Sequence, residues 1–96
     1  MTEEVRQTYM EIMADNLSVL RAKLNLTQSE LADIIGVSRY TLIAIEKKQR
    51  VMTWATFLSL LFVFTKNEDA MKLLCAMGIY TDELNDYLDL RSKKGV

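Results

Sequence analysis

Between Thr27 and Ser38 the chain starts a helix, stops it and starts another, which makes the segment two short helices joined by a tight turn at Gly36. Thr27-Gln-Ser-Glu30 has the form of a capping box. In such a box the threonine hydroxyl accepts from the glutamate amide, and the glutamate carboxylate accepts from the threonine amide. A helix is predicted from Gln28, with Leu31, Ala32 and Ile35 on one face and Ala32 small enough to let a crossing helix come close. Gly36 ends it, because the residue past a helix end often takes a positive φ that glycine adopts without steric cost. Ser38 caps the next helix. From that cap, 100° per residue turns Leu42, Ile45 and Gln49 inward and Tyr40, Ala44 and Lys47 outward, with Arg39 and Thr41 in the first turn beside the outer stripe. On these residues alone the segment is a helical hairpin, and Arg39, Lys47, Lys48 and Arg50 serve equally as a solvated face.

Ile12, Met13, Leu17, Leu20 and Leu24 recur at helical spacing and predict a first helix from near Glu4 or Thr8 to Lys23. Thr53 caps a fourth helix. Its stripe of Trp54, Phe57, Leu58, Leu61 and Phe64, extended by Leu60 and Val63, is apolar nearly all round, as expected of a helix with no wet side. Asn67 caps a fifth, with Glu68 and Asp69 where the macrodipole favours acids, and Gly78 ends it after Met77. Thr81 caps a sixth, with Asp82 and Glu83 in its opening turn and Leu84, Tyr87, Leu88 and Arg91 on one side. Arg91, Lys93 and Lys94 are cations at its end, and a frayed tail is expected after Ser92.

With no proline, half its residues apolar and no alternating run long enough for a strand, the 96-residue chain is read as one all-α domain of five to six helices. Residues 8–65 form the core and 67–96 a helical extension. The extension and the fourth helix carry more apolar surface than a four-helix core requires. That surplus either folds back on the monomer or forms an isologous homodimer contact.

Several function classes lose support. There is no histidine, no metal-ligand cluster and no glycine-rich phosphate loop, so neither a catalytic site nor a cofactor nor a metal is expected. Asp82, Glu83, Asp86 and Asp89 are read as a solvated helix face rather than a cation site. The single cysteine, Cys75, rules out an internal disulfide and is expected to be a buried, inert thiol, since no nearby cations would lower its pKa. The opening MTEEVRQ is acidic and polar where a signal peptide would be basic and then apolar, and the longest apolar run, Phe57 to Phe64, is too short to span a bilayer. A cytoplasmic protein with no membrane partner is expected. A net charge of −1 argues against a nucleic-acid partner until its distribution is considered. Residues 1–19 sum to −3, residues 20–50 to +3 and residues 51–96 to −1, so the positive excess falls on the two short helices.

Leu20-Arg21, Leu26-Thr27-Gln28, Leu31-Ala32, Gly36-Val37-Ser38 and Ile45-Glu46 resemble, in order and spacing, the Xre/Cro, or lambda-repressor-like, helix-turn-helix family, twelve residues in register. The resemblance covers Leu17 to about Phe57. It implies a lambda-repressor-like bundle that binds double-stranded DNA: a sequence-specific transcriptional regulator, a repressor on an inverted-repeat operator, for which the near-neutral net charge makes binding as a homodimer the expectation. It implies that Thr27 and Gln28 hold phosphates at a helix N-terminus, where anions are favoured. The family's base-reading positions fall on Arg39, Tyr40, Thr41 and Ala44, after the Ser38 cap. Arginine can pair with guanine O6 and N7, tyrosine can bond a phosphate or pack on sugar and base, and the threonine or alanine methyl can touch a thymine methyl. Lys47, Lys48 and Arg50 match positions that grip backbone phosphate. The resemblance also implies a structural ion pair between Arg21 and Glu46.

The chain departs from the family at Lys48, where a glycine is usual, and in Arg50-Val-Met-Thr-Trp54, where a proline is usual. Asn25 replaces a glycine at the end of the first helix, a mild change since asparagine tolerates the left-handed conformation. Ile43 is apolar at a position expected to be half-exposed. The net acidity and Ile43 keep a second reading open: an interaction module or antitoxin-like regulator with an unknown protein partner and weak or no autonomous DNA binding. An enzyme is the third and least supported class.

Overall fold

The computed structural model describes residues 1–90, which form six helices and, among those residues, no strand. They are α1 (Glu3–Lys23), α2 (Gln28–Ile35), α3 (Arg39–Glu46), α4 (Trp54–Thr65), α5 (Glu68–Ala76) and α6 (Asp82–Leu88). Every one opens on a side-chain cap: Thr2, Thr27, Ser38, Thr53, Asn67 and Thr81 each accept from the amide three residues on. Such a cap contributes about 1 kcal/mol by satisfying an amide the helix leaves unbonded. The Thr2 cap sets the start of α1 at Glu3, ahead of the Glu4 or Thr8 that apolar spacing suggests.

Four helices stop in the same way. Asn25, Gly36, Lys48 and Gly78 take φ of 54, 78, 61 and 75°. In each case the next amide reaches back to the carbonyl five residues earlier: Leu26 to Arg21, Val37 to Ala32, Gln49 to Ala44 and Ile79 to Leu74. This is the Schellman arrangement, in which an apolar residue after the left-handed one usually folds onto the helix. Leu26, Val37 and Ile79 do so. Gln49 does not. It was expected on the inward face, but α3 ends at Glu46 and the Lys48 turn carries Gln49 off that face into solvent.

The 21-residue α1 packs against α3, α4 and α5, while α2 crosses α3 and α4. Met13, Leu17 and Leu20 of α1 are fully buried with Leu31 of α2, Leu42 of α3 and Phe57, Leu60 and Phe64 of α4. Each such side chain contributes roughly 1.5 to 3 kcal/mol through burial. Ala32, 2% exposed, lies in the same core.

Part of the surplus apolar surface of the C-terminal helices is turned onto the chain itself. Ala70, Leu74, Ile79 and Leu84 are buried, and the α6 region is fastened to the opening turns of α1 by the Tyr9–Thr81 hydroxyl pair at 2.6 Å and by Arg6 Nη2 donating to the Tyr87 hydroxyl at 3.1 Å. The Arg6 guanidinium lies 5.4 Å from the centre of the Trp54 ring, and Trp54 stacks on Phe57 at 4.7 Å.

Three expectations are corrected. The fourth helix has a wet side: α1, α2 and α5 cover three flanks of α4 and leave Ala55 and Phe62 outward, with the Lys66 ammonium 4.5 Å over the Phe62 ring. Cys75 is exposed, because α5 turns Ala70 and Leu74 inward and the next residue stands 100° further round. Leu88 is also exposed, at the last turn of α6, whereas Leu84 is buried and Tyr87 half-buried. Arg91, Ser92, Lys93 and Lys94 lie outside the described residues. Among the described residues no helix is long and apolar enough to cross a membrane.

Candidate nucleic-acid interface

The α2–α3 pair is held by one carboxylate. Glu46 Oε2 accepts from Arg21 Nε at 2.9 Å, and Glu46 Oε1 accepts from Arg21 Nη2 at 3.2 Å and from Gln28 Nε2 at 3.2 Å. Arg21 Nη1 donates to the Leu26 carbonyl at 3.0 Å. One side chain of α3 is thereby tied to α1, to α2 and, through Arg21, to the loop between them. The Arg21 and Glu46 side chains keep only 20% and 9% of their surface in water, so the contact is two-pronged and largely desolvated.

Held in this way, α3 buries Leu42 and Ile45 and presents its other side to solvent. Ser38, Arg39 and Tyr40 are exposed, Tyr40 at 79%, whereas Thr41, Ile43 and Ala44 are half-buried. Ser38 Oγ accepts from the Thr41 amide at 3.0 Å and donates to Thr41 Oγ1 at 2.9 Å, which leaves the Thr41 hydroxyl hydrogen free to donate outward. Lys47 and Arg50 are exposed beyond the helix end. A cleft of about 340 Å³ lies between the opening turns of α3 and α4, lined by Ser38, Thr41, Arg50, Val51, Thr53 and Thr56.

The α2 N-terminus carries the capping box read from the sequence, with the Thr27 amide on Glu30 Oε1 at 2.9 Å and the Glu30 amide on Thr27 Oγ1 at 3.1 Å. The bond from the Thr27 amide, then that from its hydroxyl, holds the Glu30 carboxyl below the usual carboxylate range. A lowered folded pKa means the unfolded chain binds the proton more tightly. The stabilisation is fully present above the unfolded value and is lost as pH falls through the folded one. Glu30→Ala is therefore expected to be less stable than wild type at pH 7 in urea melts, with the gap narrowing below about pH 4. A pH-independent gap would contradict this.

Comparison with known proteins bears on the same segment. The helix-turn-helix family profile matches residues 17–52, from the middle of α1 to the loop before α4. Control protein C.SmaI of Serratia marcescens is 33% identical over 73 residues, a span covering 76% of this chain and 84% of that protein. The chain belongs to the Xre, or lambda-repressor-like, helix-turn-helix family. No solved structure matches it. It is a DNA-binding transcriptional regulator and not an enzyme.

In this helix-turn-helix regulator the residues named from the sequence fall into three groups. Arg39, Tyr40, Lys47 and Arg50 stand in solvent around α3, with Thr41 and Ala44 lower on the same helix. Thr27 and Gln28 sit at the start of α2, but the Gln28 side chain is half-buried and its amide nitrogen is committed to Glu46. Lys48 differs from the other cations: its ammonium is engaged by the Asp15 carboxylate of α1, a hydrogen bond that raises its pKa above the ordinary lysine range. Asp15 and Val51 were not singled out from the sequence. Asp15 is 33 residues from its partner with no pattern to join them, and Val51 stood in a loop whose course the missing proline left open.

Proposed function

We propose that this regulator binds an inverted-repeat operator as a homodimer in the cytoplasm and represses transcription, with the first turn of α3 in the major groove. The observation that carries the proposal is the division of α3 into a fully buried side, Leu42 and Ile45, and an exposed side bearing Arg39 and Tyr40. Arg39 is the candidate for guanine, Tyr40 for a phosphate or sugar, and the Thr41 and Ala44 methyls for thymine. Lys47 and Arg50 with the α2 N-terminus at Thr27 and Gln28 supply phosphate contacts that fix register. Support also comes from the positive excess of residues 20–50 in a chain that is otherwise acidic. For the dimer, support comes from Phe62 and Leu88, still exposed after the chain's own helices have packed.

Selection from a random duplex pool tests this reading. The expected product is a palindromic site with half-sites about 10 base pairs apart, or a multiple of that, since a two-fold dimer sets its two α3 helices one helical turn apart. A pool that yields no enriched sequence would favour the interaction-module reading instead.

A further inference from the structure

Among the described non-glycine residues only Asn25 and Lys48 have a positive φ, and lysine lacks the short polar side chain that makes this backbone tolerable for asparagine. The ion pair that Lys48 makes does not account for the conformation by its stability, because both side chains keep at least half their surface in water and an exposed pair contributes little. The Schellman bond from the Gln49 amide to the Ala44 carbonyl accounts for the turn, which glycine would make at lower cost; what lysine adds at this position is its ammonium. The left-handed turn aims the Lys48 ammonium across to α1, where Asp15 takes it and Glu11, one turn earlier, adds to the field.

The surroundings give that contact a direction. Arg50 lines two concavities: one of about 420 Å³ shared with Lys48, Glu11 and Val51, and the cleft shared with Ser38 and Thr41 at the start of α3. Lys48 and Arg50 therefore stand on one continuous rim beside the DNA-reading helix. Arg50 is in solvent with its charge uncommitted among the described residues, whereas Lys48 is neutralised from within.

We infer that Asp15 competes with the DNA backbone for Lys48, so that the Asp15–Lys48 pair sets the affinity and salt dependence of DNA binding. This inference rests on the DNA-binding reading above. A phosphate must displace a carboxylate to win the ammonium, and only a well-registered duplex places a phosphate close enough to do so. Nonspecific contact, which depends on every available cation, loses one. Asp15 is then an affinity-setting residue that acts through Lys48 and touches no DNA itself.

A double-mutant cycle tests this with fluorescence anisotropy on the site recovered from the pool, or on mixed genomic duplex if none is recovered, between about 50 and 200 mM salt. Asp15→Asn is expected to tighten binding about two- to fivefold at low salt and to steepen the plot of log affinity against log salt by up to about one. In a Lys48→Gly background, where glycine suits the turn, Asp15→Asn is expected to change neither quantity. Glu4→Gln, which changes net charge equally on the far end of α1, is expected to leave the slope as in wild type. An effect of Asp15→Asn that matches Glu4→Gln, or that survives in Lys48→Gly, overturns the inference and leaves the DNA-binding reading standing. A wild-type chain that binds no duplex overturns both.

Discussion

Glu46→Ala is expected to lower the melting temperature by roughly 12 to 24 °C, the largest drop of any charge deletion between Thr27 and Arg50. The carboxylate accepts three hydrogen bonds, two from Arg21 and one from Gln28. Its removal leaves a guanidinium that is four-fifths out of water with the Leu26 carbonyl as its remaining described partner. Stranding a charge in this way costs roughly 3 kcal/mol, the lower end of the range for buried pairs, because part of Arg21 stays wet. At this chain length each kcal/mol moves the midpoint by about 4 to 8 °C. The pair itself need not add net stability, since desolvation offsets much of its attraction. Replacing both partners, as Arg21→Met with Glu46→Met, should therefore recover much of what Glu46→Ala loses. Circular dichroism melts decide it: an unchanged midpoint in Glu46→Ala would remove the brace from the account. The functional consequence is that α3 loses its tie to α1 and α2, so the reading face would be less well aimed even where the chain stays folded.

What the sequence disclosed and what it hid divide along physical lines. Helix starts were legible because a cap is local chemistry: a serine, threonine or asparagine three residues before the amide it accepts from. Thr2 escaped because the turn after it is charged and carries no apolar stripe to mark a helix. The outward side of α3 was legible from 100° periodicity, which says which residues share a face. Periodicity says neither where a helix ends nor how many neighbours cover it. That is why Gln49 was placed inward beyond the true end of α3, and why Phe62 and Cys75 were expected to be covered when, among the described residues, both are exposed. Arg21 and Glu46 came together through the family resemblance, since nothing local joins residues on different helices. Contacts lying outside that resemblance stayed hidden. Asp15–Lys48 and Arg6–Tyr87 are set by how α1 crosses the rest of the bundle, and the first of them decides how a candidate phosphate contact is used.

If the exposed first turn of α3 reads base edges, Arg39 is the side chain on which that reading most depends. Arg39 is held by no ion pair or hydrogen bond among the described residues, and it places a cation at a helix N-terminus with no acid in the first turn, where the macrodipole disfavours it. Arg39→Ala should therefore leave the melting temperature within a few degrees of wild type. The same substitution removes the one described side chain in that turn able to grip guanine O6 and N7 together, a contact contributing about 1 to 3 kcal/mol per half-site. Repeating the duplex selection with Arg39→Ala, and measuring both proteins on the wild-type site, is the most direct test. Over two half-sites the loss is about 2 kcal/mol or more, so affinity for the operator is expected to fall by at least about 30-fold, with loss of preference at one base pair in each half-site and the flanking preferences kept. Recovery of the same site with the same affinity would contradict that reading.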